Sequence, residues 1–135
     1  DPLAEVDVGL AFGWVGRAWA LALETVGVAG AVVHSGKPRS SPWSAAVCFA
    51  GLGPGEVTVG AAKVVGISQR RTRTGSLFQC GALVTWDPRP LVDLLRLPEE
   101  EAVADLDRLA AGTGVDPGRL ADTFARCLES VPTAI

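Results

Sequence analysis

The sequence predicts an α+β (mixed α/β) fold in which antiparallel strands pack on one long helix and C-terminal helices close the chain. Three observations predict it. Between Val8 and Val26 apolar residues recur at spacings of three and four, the period of a buried helical face. From Ala45 to Trp86 the pattern changes to short apolar runs broken by Gly and Pro, as strands and turns require. After Trp86 helical spacing returns and holds to Ser130. Helix, then strands, then helices is the order of an α+β or mixed α/β chain.

The first helix is expected from about Asp7 to Val26, with Val8, Phe12, Val15, Trp19, Leu23 and Val26 on its buried stripe. Asp7 suits the N-cap and Gly27 the stop. Gly9, Gly13 and Gly16 each weaken the helix by roughly 1 kcal/mol relative to Ala, which suggests close approach to a neighbouring element. Ala31 to His34 reads as a short strand, and Ser35 to Trp43 (SGKPRSSPW) as an exposed loop. Ala45 to Ala50 is an apolar run within the strand-like region, and Gly51 to Gly55 (GLGPG) a turn. Glu56 to Val59, Lys63 to Ser68 and Ser76 to Trp86 read as strands. Gly60 opens a tight hairpin between the first two. Gln69 to Gly75 reads as a link to the third. Helices follow over Pro88 to Leu95, Glu99 to Ala111 and Gly118 to Ser130. The middle one has an acidic first turn that suits the helix dipole. The last has Leu120, Phe124, Cys127, Leu128 and Val131 on one face.

Composition narrows the function. The chain has 135 residues, 48% hydrophobic and 20% charged, enough for one globular domain with a core. Its net charge of −3 disfavours nucleic acid as a partner, so any anion site must be local. No apolar run approaches the ~20 residues that cross a bilayer, so no membrane role is expected. The opening residues Asp1, Glu5 and Asp7 do not read as a signal peptide. Three cysteines, Cys48, Cys80 and Cys127, are an odd number without CxxC spacing. Neither a disulfide framework nor a zinc site is expected, and a reducing, cytoplasmic setting is. His34 alone is too little for a His-based metal centre, and it reads as structural.

The chemistry concentrates in VGAAKVVGISQRRTR, residues 59–73, which carries Lys63, Arg70, Arg71 and Arg73 and no acid. Strict alternation places Lys63 on one strand face with Val65 and Ile67. There it is either a partly desolvated, reactive ammonium or an edge lysine that deters aggregation. The arginines read either as forks for phosphate or carboxylate, with Gly66, Ser68 and Gln69 giving close backbone approach and polar handles, or as a solvated turn. Cys48, between Val47 and Phe49, is either a small core residue or, with a cation beside it, an acyl-carrying nucleophile. Cys80 and Cys127 read as packing residues.

Taken together, Cys48 to Leu83 resembles the biotin/lipoate protein ligase family, most closely its lipoate–protein ligase and octanoyltransferase branch. That family carries a Cys-Phe pair, a Pro-containing turn, Glu, a short strand, a Gly-x-Lys hairpin, Gly-x-x-Gln-Arg and a strand with Gln-x-Gly. Here these are Cys48-Phe49, Pro54, Glu56, Gly60 to Lys63, Gly66 to Arg70, and Gln79 with Gly81. The spacing from Cys48 to Lys63 agrees with the transferase branch. The helix from Asp7 and the Trp86-Asp87-Pro88 turn also fall where the family has a helix and a strand exit.

The resemblance implies transfer of a lipoyl or octanoyl group to a lysine of a lipoyl carrier domain, in a 2-oxoacid dehydrogenase or a glycine cleavage protein. It implies that Lys63 meets the acyl carbonyl or acyl-adenylate and that Cys48 holds the acyl group as a thioester. Gly60, Gly66, Ser68, Gln69, Arg70, Gln79 and Gly81 would bind substrate. Lipoate or octanoate is then a substrate, and no tightly bound cofactor is expected. ATP with Mg enters only under the alternative, an ATP-dependent lipoate–protein ligase working through an acyl-adenylate. A second alternative is a non-catalytic accessory or binding domain of a split ligase. The family's Arg-Arg-x-x-Gly-Gly-Gly block, which precedes the first helix, is not in this chain. Residues 1–135 are therefore expected to be the C-terminal part of a longer catalytic domain, or to work with a separate N-terminal chain.

Overall fold

A computed structural model describes residues 8–132. Helix α1 spans Val8–Thr25. Ala11, Val15, Ala18, Trp19, Ala22 and Leu23 are buried, and Phe12 and Val26 pack against them. The predicted Asp7 cap and the side chains of Val8 and Gly9 lie outside the described residues. Gly27 ends the helix as predicted, at φ +93°. Its N–H donates to Glu24 O at 3.0 Å, and the Val28 N–H donates to Leu23 O at 2.8 Å, which is a Schellman closure. Gly16 meets the expectation of close approach. A Cβ there would fall 2.1 Å from the Gly55 carbonyl oxygen, so the turn before the second strand rests directly on α1.

Four strands follow: β1 Ala31–Val33, β2 Val57–Val59, β3 Ala62–Arg71 and β4 Ser76–Ala82. They form one antiparallel sheet in the order β1-β2-β3-β4. The β2–β3 hairpin turns through Gly60 and Ala61 with positive φ at Gly60 only, as a type II′ turn requires. One face of the sheet packs on α1. Helix α4, Pro117–Ser130, lies against α1 on the other side, where the Phe124 ring stacks on Trp19 at 3.9 Å. The Asp116 side chain caps α4 by accepting from the Arg119 N–H at 2.9 Å.

A second, smaller core holds Val47, Ala50, Val92, Ala102 and Leu106. It joins helices α2, Arg89–Leu94, and α3, Glu99–Leu109, to the loop before β2. Trp43 and Trp86 border it and anchor it through their ring N–H groups, which donate to Asp105 and to Leu106 O.

The apolar run Ala45 to Ala50 folds as turns and a 3₁₀ turn at Cys48–Ala50, with Val47 and Ala50 on the side facing the small core. Two element expectations are corrected. Gln69 to Gly75 is not a link. Gln69 to Arg71 continue β3 and pair with Phe78 to Ser76, and only 72–75 turn. The third predicted strand stops at Ala82, where Leu83 leaves to bond Val64 O and to accept from the Thr113 N–H.

Candidate functional site

Strand β3 carries the site, and a bulge decides which way its lysine points. Val57 pairs with Val65 but Thr58 pairs with Lys63, so Val64 is the extra residue. The bulge breaks the predicted alternation. Val64, Val65 and Ile67 all enter the main core. Lys63 instead lies beside Gly66, its Cε 3.2 Å from where a Gly66 Cβ would be. The edge-strand reading of Lys63 fails, because β3 sits between β2 and β4 and Lys63 is 3% exposed.

The ammonium of Lys63 is fully engaged. It pairs with Glu56 Oε2 at 2.8 Å and donates to Gly51 O at 2.9 Å and Cys48 O at 3.3 Å. Three donors meet three acceptors. The Phe49 ring covers it, with its centroid 4.9 Å from Nζ, close enough for a cation–π contact. Glu56 is equally enclosed. Oε2 also accepts from the Gly53 N–H at 2.7 Å, and Oε1 from the Ile67 N–H at 3.1 Å. That second bond takes up an amide of β3 beyond the end of its pairing with β2. The buried charges thus meet the condition on which burial is tolerated: they are paired, and their remaining hydrogen-bonding capacity is used.

Cys48 is exposed, so its core reading is corrected. Its neighbours Val47 and Ala50 fill the small core, and the 3₁₀ turn between them sends Cys48 outward. The lysine fixes this turn by holding the carbonyls of Cys48 and Gly51 together. Cys80 and Cys127 match the packing expectation. Cys127 is buried, and Cys80 packs against the main core, where burial pushes its thiol up and the Trp19 side chain partly offsets this. His34 is also structural: its Nε2 closes the loop onto Lys37 O at 2.8 Å.

Cys48, Phe49, Glu56, Gly66, Ser68, Gln79 and Gly81 line one open depression of about 300 Å³. Five residues expected at a site, from three separate segments, therefore meet: Cys48, Gly66, Ser68, Gln79 and Gly81. Lys63 lies behind Phe49 and itself borders an adjacent cavity of about 200 Å³ under Arg39, Ser40 and Ser41. The other expected residues are placed elsewhere. Gly60 sits at the β2–β3 turn, beside Val32 to Gly36. Gln69 lies opposite Phe78, which contacts Phe12 and Trp14, so it belongs to the helix-covered face. Its amide is buried with no partner among the described residues. Arg70 is exposed farther along β3, outside the depression.

Two residues that complete the arrangement, Glu56 and Phe49, belong to the motif that carries the resemblance but were given no role at the site. A signal for Glu56 was present: it is the single acid between Glu24 and Asp87, seven positions before Lys63. Among the described residues, no group of His, Cys, Asp and Glu could hold a metal ion, and no helix is long and apolar enough to cross a membrane. No family model, curated protein or solved structure matches the chain.

Proposed function

We propose that the Cys48 depression is an acyl-transfer site, passing a lipoyl or octanoyl group to a lysine of a lipoyl carrier domain. The observation that carries the reading is an exposed thiol on the very turn whose carbonyl lies 3.3 Å from a buried lysine ammonium. The Cys48 thiolate attacks the carbonyl of a donor thioester. A new C–S bond forms, the donor's C–S bond breaks and the donor thiolate leaves. The acceptor lysine amine then attacks the Cys48 thioester, the C–N bond forms, the amine proton is lost and the Cys48 thiolate is released. Lys63, behind Phe49, positions the Cys48 turn by holding the carbonyls of Cys48 and Gly51, and its positive charge favours an oxyanion that forms beside that turn. Gly66 and Gly81 leave the depression floor without side chains, and Ser68 and Gln79 supply polar contacts. The cycle needs no bound cofactor, and a reducing cytoplasm keeps the thiol available.

The test is mass spectrometry of the full-length protein incubated with an octanoylated carrier-protein thioester. The expected result is an octanoyl adduct on the Cys48 peptide that a lipoyl domain discharges and that Cys48→Ser lacks. A Cys48→Ser protein that still modifies the lipoyl domain, through an adenylate made from ATP and Mg, would replace transfer with ligation. No modification with either donor would leave the accessory, non-catalytic role.

A further inference from the structure

The outer face of the β3–β4 hairpin carries three cross-strand pairs in a row: Gly66 opposite Gly81, Ser68 opposite Gln79, and Arg70 opposite Leu77. Directly opposed residues share a face, and every second residue returns to it. The row starts in the Cys48 depression, where Phe49 approaches to 3.5 Å of a Cβ placed on Gly66. It ends near the hairpin tip, about 13 Å away at roughly 3.3 Å per residue.

The far end has the character of a contact surface. Leu77 is 58% exposed, beside the exposed Arg70, and Arg73 is exposed in the turn beyond. Neither Arg70 nor Arg73 joins an ion pair among the described residues. Residues 57–86 contain no Asp or Glu, although the chain is net negative. Because β2 pairs with β3 only as far as Val65, the distal hairpin is a two-stranded ribbon, covered by α1 on the face of Gln69 and Phe78 and open on the face of Arg70 and Leu77. The arginines line neither the depression nor the cavity beside Lys63.

We infer that this ribbon docks an acidic polypeptide segment of the acceptor protein. Carboxylates of that segment meet Arg70 and Arg73, an apolar side chain covers Leu77, and the residue to be modified runs along the glycine floor to Cys48. Rim charges of this kind set partner choice and encounter rate, and salt weakens them. The acceptor role at the near end rests on the acyl-transfer reading. The acidic docking surface does not.

The experiment is fluorescence anisotropy of a fluorescein-labelled synthetic peptide, rich in Glu around one Leu and one Lys, titrated with the full-length protein. Binding is expected at low salt and should weaken steadily as salt is added. Arg70→Glu with Arg73→Glu should weaken it by at least about tenfold, the milder Arg70→Gln with Arg73→Gln less, and Leu77→Ser measurably. Circular dichroism and thermal unfolding check that each variant is folded. The same peptide with Gln for Glu should not bind. Equal binding of the Gln peptide, affinity untouched by charge reversal, or tighter binding of a single-stranded oligonucleotide would each overturn the inference. Cys48→Ser should keep peptide binding while losing the acyl adduct. A wild-type protein that binds the peptide in a charge-dependent way yet forms no adduct removes only the transfer chemistry.

Discussion

Glu56 Oε2 lies 2.8 Å from the Lys63 ammonium, and both side chains are almost wholly shielded from water. The pair ties together the turn bearing Cys48, the start of β2 and the middle of β3. Removing either partner leaves a charge in a site that offers no water to solvate it.

Lys63→Met should therefore cost about 3–5 kcal/mol of stability, because it strands the Glu56 carboxylate. Adding Glu56→Gln to that variant should recover part of the loss. Urea denaturation of the two single variants and the double one measures the coupling. Purely additive losses would show that the pair is not coupled.

Two helix glycines should respond in opposite directions. Gly16→Ala places a methyl 2.1 Å from a backbone oxygen and should destabilise by at least ~1–3 kcal/mol. Gly13→Ala meets only the flexible end of Arg17, at 3.4 Å, and should stabilise by up to ~1 kcal/mol. Thermal unfolding of both variants decides it.

The thiols should react in order of exposure. Iodoacetamide followed by peptide mass mapping should modify Cys48 first, Cys80 slowly and Cys127 only after unfolding.

Cys80 also gives a pH signature. Its folded thiol is held above the ordinary value mainly by burial, so its stabilising contribution is complete below the unfolded value, about 8.5. That contribution is lost as pH rises through the folded value. The stability gap between wild type and Cys80→Val should shift against the wild type above that point.

Asp105 predicts the acid side. The Trp43 ring N–H, and then Arg108, hold its carboxyl below the ordinary carboxylate value. The resulting stabilisation is present above about pH 4 and fades as pH falls through the lowered folded value. Acid unfolding followed by tryptophan fluorescence should show wild type and Asp105→Asn converging at low pH and separating near neutrality.

Local sequence was sufficient for features whose physics is local. The stripe through Val15, Trp19 and Leu23 marks α1 because a helix returns the same face every three to four residues. Gly27 and Gly60 mark their turns because positive φ is strained for other residues. The same spacing logic separated a helical N-terminus and C-terminus from a strand-rich middle, and so identified the α+β class.

Strand register and tertiary packing decided the rest. A bulge at Val64, which depends on how β2 registers against β3, turned Lys63 from the face of Val65 and Ile67 onto Glu56 and Phe49. Burial of Val47 and Ala50 against α2 and α3 is what exposes Cys48, since a 3₁₀ turn cannot bury every side. Pairing with β4 drew Gln69 to Arg71 out of a supposed link and into a strand, putting Gln69 and Arg70 on opposite faces. Each of these depends on how one element registers or packs against another, which no single stretch of sequence displays. The sequence by itself determined which residues were chemically capable, and the register and packing of the sheet decided which of them meet.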